Sequence, residues 1–235
     1  MTTLLRRSQL SRRHIALGAE FEQIGDTLLV SNYGSSEEIA QAKSLALIDL
    51  STLPRTGFKG AGATTWATSQ GVKIPERPNL ALLQKDQGLV VRLSYHELLI
   101  LSNIDPVSTQ IERLDSMAVG PQTYTLPRAD SHCWLAVTGS QAAEMFSNVC
   151  GVYLLPHKFA NHAVAHTSVA KASAIVLRHD LGPTHCFYVL TDVIAAEFLL
   201  YCLIYAMLAY PGGPVGFASL PKLSAQGQPT THTFL

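Results

Sequence analysis

Neither sign of charge is in excess in this chain. Seventeen basic side chains face 17 acidic ones over 235 residues, so nothing electrostatic favours nucleic acid or an anionic membrane as partner. A small molecule or another protein is left. Cysteine is sparse and unpatterned. Cys133, Cys150, Cys186 and Cys202 lie far apart inside apolar segments and form no CxxC pair, which predicts buried, reduced thiols and a cytoplasmic location. A secretory signal needs a basic start followed by an apolar run. Here Arg6, Arg7, Arg12 and Arg13 are followed by mixed polar sequence. Residues 1–16 therefore read as an N-terminal leader, either solvated or docked on an acidic partner.

Signatures of self-sufficient catalysis are missing too. No Ser/His/Asp or Cys/His nucleophile motif is present. Gly57, Gly60 and Gly62 make a Gly-rich turn before a helix, but a dinucleotide fingerprint needs G-x-G-x-x-G with an acid at the right distance beyond it. His157, His162 and His166 suggest a metal. A strand, however, puts only the latter two on one face, and no Cys or acid completes the set.

What is present is apolar, periodic and duplicated. Nearly half of the residues are apolar, enough for a real core in a chain at the upper edge of a single domain. Thr56-Gly57-Phe58-Lys59-Gly60 leads into a helix carrying Ala63 and Trp66 that stops at Gly71-Val72. Trp134-Leu135-Ala136-Val137-Thr138-Gly139 leads into one carrying Ala142, Met145 and Phe146 that stops at Gly151-Val152. Apolar spacings of three and four between a small-residue start and a glycine stop predict short amphipathic helices. After each come β-branched and aromatic runs bounded by turn residues, read as paired strands: Gly88–Leu93 with Glu97–Leu101, and Ala163–Arg178 with His185–Leu190. Each half closes on a helix, from about Pro106 to Leu114 and from Asp192 to Ala209. The fold class predicted is α+β, two strand–helix–strands–helix repeats over about 45–120 and 130–210.

The last helix carries one charge, Glu197, between Val193 and Ala209. It is short for crossing a bilayer and lacks a basic anchor, so no membrane role is expected. Burial by a sheet on one side and by a partner subunit on the other is the better reading, with Phe198, Leu199, Tyr201 and Tyr205 as interface residues. Residues 212–235, rich in Gly, Pro, Ser, Thr and Gln, read as a loose tail.

The order of weak matches adds a resemblance. The series LGAEF from Leu17, Tyr33-Gly34, Glu37-Glu38, Asp49-Leu50-Ser51 and Gly60 resembles the opening of the aminomethyltransferase (glycine-cleavage T-protein) family. Leu154-Leu155-Pro156-His157-Lys158-Phe159 and Thr167–Arg178 are similar to the gamma subunit of heterotetrameric sarcosine oxidase. The resemblance spans 17–211 and implies the folate-binding domain fold common to both. In the family an acidic pair ends a Gly-Gly-x-x-Asp-Asp hairpin, whereas Gln87-Gly88-Leu89-Val90-Val91-Arg92 puts Val91 and Arg92 there. A pterin-holding Glu ends a Gly-Tyr-Thr-Gly-Glu loop, whereas His179-Asp180-Leu181-Gly182-Pro183 ends on Pro183, whose side chain neither donates nor accepts. Asn103, one position from a folate-contacting Asn of the family, and Asp180 are the remaining ligand-binding candidates, each of which a simple turn role also explains. Asp49 reads as a turn cap, not a base. The resemblance thus implies a non-catalytic subunit of a sarcosine-oxidase-like complex in one-carbon metabolism, with no catalytic or metal-binding residue of its own. Flavin and NAD would sit in flavoprotein partner chains, and tetrahydrofolate would be the carbon acceptor. The alternatives are a stand-alone folate or small-ligand binder and a divergent aminomethyltransferase.

Overall fold

The computed structural model describes residues 5–104 and 109–225. In chain order the elements before the first repeat are β1 (Arg6–Arg7), α1 (Ser11–Ala16), β2 (Glu20–Ile24), β3 (Thr27–Asn32), α2 (Glu38–Ser44) and β4 (Ala46–Asp49). The first repeat runs β5 (Arg55–Lys59), α3 (Ala63–Ser69), β6 (Leu80–Leu83), β7 (Leu89–Ser94), β8 (Glu97–Leu101), α4 (Thr109–Ser116). After β9 (Tyr124–Leu126) and α5 (Arg128–Ser131), the second runs β10 (His132–Thr138), α6 (Ala142–Phe146), β11 (Val164–Val169), β12 (Ala172–Arg178), β13 (Cys186–Asp192), α7 (Ala196–Met207). β14 (Gly213–Pro214) and α8 (Leu220–Ala225) follow. The fold is α+β, as expected. The predicted start of the first closing helix, Pro106, lies outside the described residues.

The two repeats build sheets of the same order. One reads β6-β7-β8-β5-β9 and the other β11-β12-β13-β10-β4-β14. The leading strands are exchanged. β4, which precedes the first repeat, pairs with β10 of the second, and β9, which precedes the second, pairs with β5 of the first. Two glycines make the exchange possible. Gly60 (φ +124°) and Gly139 (φ +110°) turn β5 into α3 and β10 into α6, and a Cβ on either would lie 2.1 Å from Gln122 O or 2.2 Å from Ser44 O. Those carbonyls immediately precede the exchanged strands, so only a residue without Cβ lets the strand approach.

Side-chain alternation then fixes the layers. Leu89, Val91, Leu99 and Leu101 of one sheet meet Trp134, Ala136, Tyr188 and Leu190 of the other in a core between the sheets. Their neighbours point outward. Val90, Leu98 and Ile100 pack under Trp66 of α3, and Leu135, Val137, Phe187 and Val189 pack under α6 and α7. The order is helices, sheet, sheet, helices. Trp66 and Phe146 are both buried, Trp66 against Phe58 at 4.6 Å between ring centroids and Phe146 against Phe187 at 5.6 Å. Counted from Gly60 and Gly139, however, Trp66 corresponds to Met145, and Phe146 to Ala67.

Both termini differ from expectation. The leader is part of the fold over its described residues: β1 pairs with β3, and α1 buries Leu10 and His14 while Arg12, Arg13 and Ile15 face out. One apolar position per turn is too thin a stripe to register as an amphipathic helix in sequence. The tail, over its described residues, is not loose. β14 pairs parallel with β4, Gly216 N donates to Glu38 Oε2 at 2.7 Å, and Val215, Phe217, Leu220 and Leu223 enter the core between the sheets. Gly and Pro between these apolar residues conceal their spacing.

Candidate functional site

The hairpin that carries the family's acidic pair is β6–β7. Val91 points into the core between the sheets and is fully buried, so this position holds no acid. Arg92 points the other way. Its Nη1 donates to Pro75 O at 2.9 Å and Glu76 O at 2.8 Å, and its guanidinium lies 5.2 Å over the Tyr95 ring. It fastens a loop to the outside of the sheet.

The second loop joins β12 to β13. Arg178, almost fully buried, donates from Nε to Asp180 Oδ1 at 2.9 Å and from Nη2 to Oδ2 at 2.6 Å, a bidentate pair. The same guanidinium donates to Phe159 O at 2.7 Å and Pro156 O at 3.1 Å. Burial alone would raise the Asp180 carboxyl, but the Arg178 hydrogen bonds and charge outweigh it and hold the group below the ordinary carboxylate range. Asp180 is therefore committed to the loop's own structure. Tetrahydrofolate, implied by the resemblance, needs a carboxylate at these places, and Val91, Pro183 and the paired Asp180 do not fit it.

Asn103 does reach a cavity. Its Nδ2 donates to Asp86 O at 2.8 Å, while Oδ1 is buried without a partner among the described residues. The cavity, about 240 Å³, lies between the ends of the two sheets and is lined by Ser102 and Asn103 after β8, His179 and Leu181 of the second loop, Tyr188 of β13, and Ser224 of α8. Of the two ligand candidates the structure brings Asn103 to it, whereas the neighbours of Asp180, not Asp180 itself, line the wall. Burial and the nearby His162 push His179 down to about 4, and its Nδ1 faces His162 Nε2 at 3.3 Å. His162 thus pairs with His179, not with His157 and His166, and no cluster of three metal-ligating side chains occurs among the described residues. Ser102, His179 and Tyr188 had no sequence signal, since each sits inside an ordinary strand or turn pattern.

A second constellation was not anticipated. Asp49 caps its turn, accepting from Ser51 N at 2.9 Å through Oδ1, as expected. Its Oδ2 also accepts from Ser8 Oγ and meets His14 Nε2 at 2.9 Å, and His14 Nδ1 meets the Tyr33 hydroxyl at 2.7 Å. The His14 and Asp49 side chains are each 2% exposed. Burial alone would raise Asp49, but the His14 hydrogen bond and charge, with Ser51 and Ser8, hold it below its ordinary value. Burial, then the charges of Asp49 and Glu38, push the Tyr33 phenol up. A buried, fully partnered acid beside a phenol held in its neutral form is a latch, not a nucleophile. It ties α1 and the β1–β3 sheet to β4.

The outer face of α7 is the third feature. Phe198, Tyr201, Tyr205 and Leu208 are 56%, 72%, 70% and 72% exposed, and across a groove of about 630 Å³ lie Ala16 and Leu17 of the α1 end. Arg13 and Glu197 form an ion pair that bridges the two helices. Leu199 is a correction. It is fully buried with Leu200 and Leu203 against the six-stranded sheet, because a helix apolar all round gives no sequence clue to which side turns inward. No helix among the described residues is long and apolar enough to cross a membrane.

No protein-family model matches the chain, and no curated protein does. Solved structures do. The glycine cleavage system aminomethyltransferase T from Bartonella henselae superposes with a TM-score of 0.71 at 17% identity, over 94% of this chain and 62% of that one. The present chain thus spans less than two thirds of that protein. A chain of the heterotetrameric sarcosine oxidase from Corynebacterium sp. U-96, in complex with pyrrole 2-carboxylate, superposes with a TM-score of 0.63 at 17% identity, over 87% of this chain and 95% of that one. The two repeats, their sheets and their flanking helices together form the aminomethyltransferase-like fold that these two proteins share.

Proposed function

We propose that this chain is a non-catalytic subunit of a sarcosine-oxidase-like complex in the cytoplasm, linked to tetrahydrofolate-dependent one-carbon metabolism. Its partners are flavoprotein chains that hold the flavin and NAD. The observation that carries the reading is the exposed apolar face of α7, on which Phe198, Tyr201, Tyr205 and Leu208 stand clear of the chain's own core. Large aromatic side chains held on a rigid helix are what the centre of a protein interface uses. The likeness to nearly the whole length of a sarcosine oxidase chain supports the choice of partner. Loss of both family carboxylates, now Val91 and Pro183, supports the absence of turnover by this chain. A tagged chain expressed in its own organism should copurify with protein carrying flavin absorbance, and Tyr201→Asp should lose that protein while staying folded. Recovery of the chain alone, as a monomer, would overturn the reading.

The cavity beside Asn103 favours a second reading, a stand-alone binder of a small ligand. A divergent aminomethyltransferase is disfavoured, because general acid/base groups contribute about 10²–10⁴ in rate and Val91, Arg92 and Pro183 stand where the family's acids would be. Purified chain should show no methyl transfer to tetrahydrofolate.

A further inference from the structure

The exposed side of α7 has a spacing of its own. Ile194, Phe198, Tyr201, Tyr205 and Leu208 follow one another at steps of four, three, four and three residues, and all five are exposed. Ile194 stands in the 3₁₀ turn Val193–Ala195 that leads into α7, and Leu208 caps its end. Apolar residues at alternating steps of three and four make the seam along which one helix packs lengthwise on another. The opposite side of α7, with Leu199, Leu200, Leu203 and Met207, is already buried against the chain's own sheet. The seam is a separate packing face, and its spacing fits a helix.

The two halves of the seam differ in shape. Ile194, Phe198 and Tyr201, in the first half, line the groove of about 630 Å³ whose other wall is Ala16 and Leu17 at the α1 end. Tyr205 and Leu208, in the second half, lie outside that groove and stand 70% and 72% exposed. One half is a hollow and the other a ridge. A two-fold axis at Tyr201 that sets two copies of α7 antiparallel puts Tyr205 of each copy opposite Phe198 of the other, and Leu208 opposite Ile194. Each ridge then enters the other copy's hollow, the self-complementarity that an isologous contact requires. Parallel pairing would set hollow on hollow. Charge permits the contact, because Glu197, the one charged residue between Val193 and Ala209, is paired with Arg13 of its own chain, and a second copy brings no like charge against the seam. Area permits it too. Large side chains present about 150–250 Å² each, so these five, exposed as they are, leave about 700 Å² per copy, close to the roughly 800 Å² per partner of a stable interface.

We propose that, without another partner, the chain forms a two-fold dimer through antiparallel α7 helices, the ridge at Tyr205 and Leu208 of each copy filling the hollow between α1 and α7 of the other. The pairing follows from this chain's own surface and does not rest on the flavoprotein reading. It adds a consequence to that reading: one face serves both contacts, so a flavoprotein chain and a second copy exclude each other. Sedimentation equilibrium of the purified full chain tests the dimer. Wild type should dimerise reversibly with a dissociation constant of about 1–10 μM, the modest affinity of an interface of this size without ion pairs. Phe198→Glu and Tyr205→Lys should each weaken dimerisation at least about tenfold, since each sets a buried charge against an apolar side chain at both ends of the seam. Mixed in equal amounts, the two variants should dimerise again. Antiparallel pairing brings the two substituted positions together at one end and leaves Tyr205 against Phe198 at the other, whereas parallel pairing does neither. Leu208→Asp removes the ridge by a second route if Phe198→Glu fails to fold. A wild-type chain still monomeric at about 100 μM overturns the proposal. So does a dimer that none of these substitutions weakens, and so does a mixture no more dimeric than its two components. All of these outcomes are read from the chain alone, so copurification with a flavoprotein can fail without touching them.

Discussion

The two repeats share the plan of what faces inward and differ in what faces out. Both carry the same strand order, the same glycine turn against an exchanged strand, and apolar side chains directed to one core between the sheets. Their closing helices part company. α4 buries Ile111 and Leu114 and presents Gln110, Glu112, Arg113 and Asp115 on its other sides, the one-sided pattern of a helix that ends at water. α7 buries Leu199, Leu200 and Leu203 and still presents Phe198, Tyr201 and Tyr205 outward. Equivalent helices on equivalent sheets have the same packing needs. The surplus apolar surface of α7 is thus not required by the fold, and it is the surface on which the proposed interface rests.

The largest effect expected on this comparison is Phe146→Ala, at about 3–5 kcal/mol in a denaturant titration, since a fully buried ring leaves a cavity. Trp66→Ala should fall near the bottom of that range, about 3 kcal/mol, because Trp66 is 9% exposed. A cost near zero at either would mean that repeat's helix is not an anchor.

Next in size are Gly60→Ala and Gly139→Ala. Left-handed strain and a backbone collision together should cost about 2–4 kcal/mol at each. The two losses should match, because the two turns meet the same obstacle. Tolerance of alanine at one of them would break the equivalence of the repeats and show that its exchanged strand can retreat.

Much of this symmetry was legible in sequence, because period-two strands and glycine-bounded helices are local patterns. Trp66, Phe146 and the α+β class follow from them. The strand exchange was not legible. β4 and β9 are short, and whether either pairs with its own repeat or the other depends on space opened at Gly60 and Gly139 by residues far away in the chain. The termini were misread for a related reason. His14 is polar until Asp49, 35 residues on, supplies its partner. Asn103 could be nominated by resemblance, but its cavity-side neighbours Ser102, His179 and Tyr188 converge only through the packing of two sheets.

The latch at Asp49 should separate the N-terminal flank from the repeats as pH falls. A carboxyl held below its ordinary 3.8 contributes stability that is fully present above that value and is lost as pH drops through the lower folded-state value. Acidification below about pH 4 should therefore speed amide exchange in α1 and β1 before the sheets respond. Asp49→Asn should show that faster exchange already at neutral pH and a shallower acid dependence. An α1 as protected as the sheets down to global unfolding would show that the flank is not a separate unit.

The smallest effect on stability, and the most decisive for the comparison, belongs to the outer face of α7. Phe198→Ser and Tyr201→Ser replace side chains that are 56% and 72% exposed, so each should change stability by no more than about 0.5 kcal/mol. Glu112→Ser on α4 serves as the matched change on the helix that ends at water. If the surplus apolar surface exists for a flavoprotein partner, the two α7 variants lose copurification and the α4 variant keeps it, with all three equally stable. Loss of the partner in all three would place the interface elsewhere. Retention in all three would leave α7 as a helix whose apolar face contacts nothing, and the difference between the two closing helices would then carry no functional meaning.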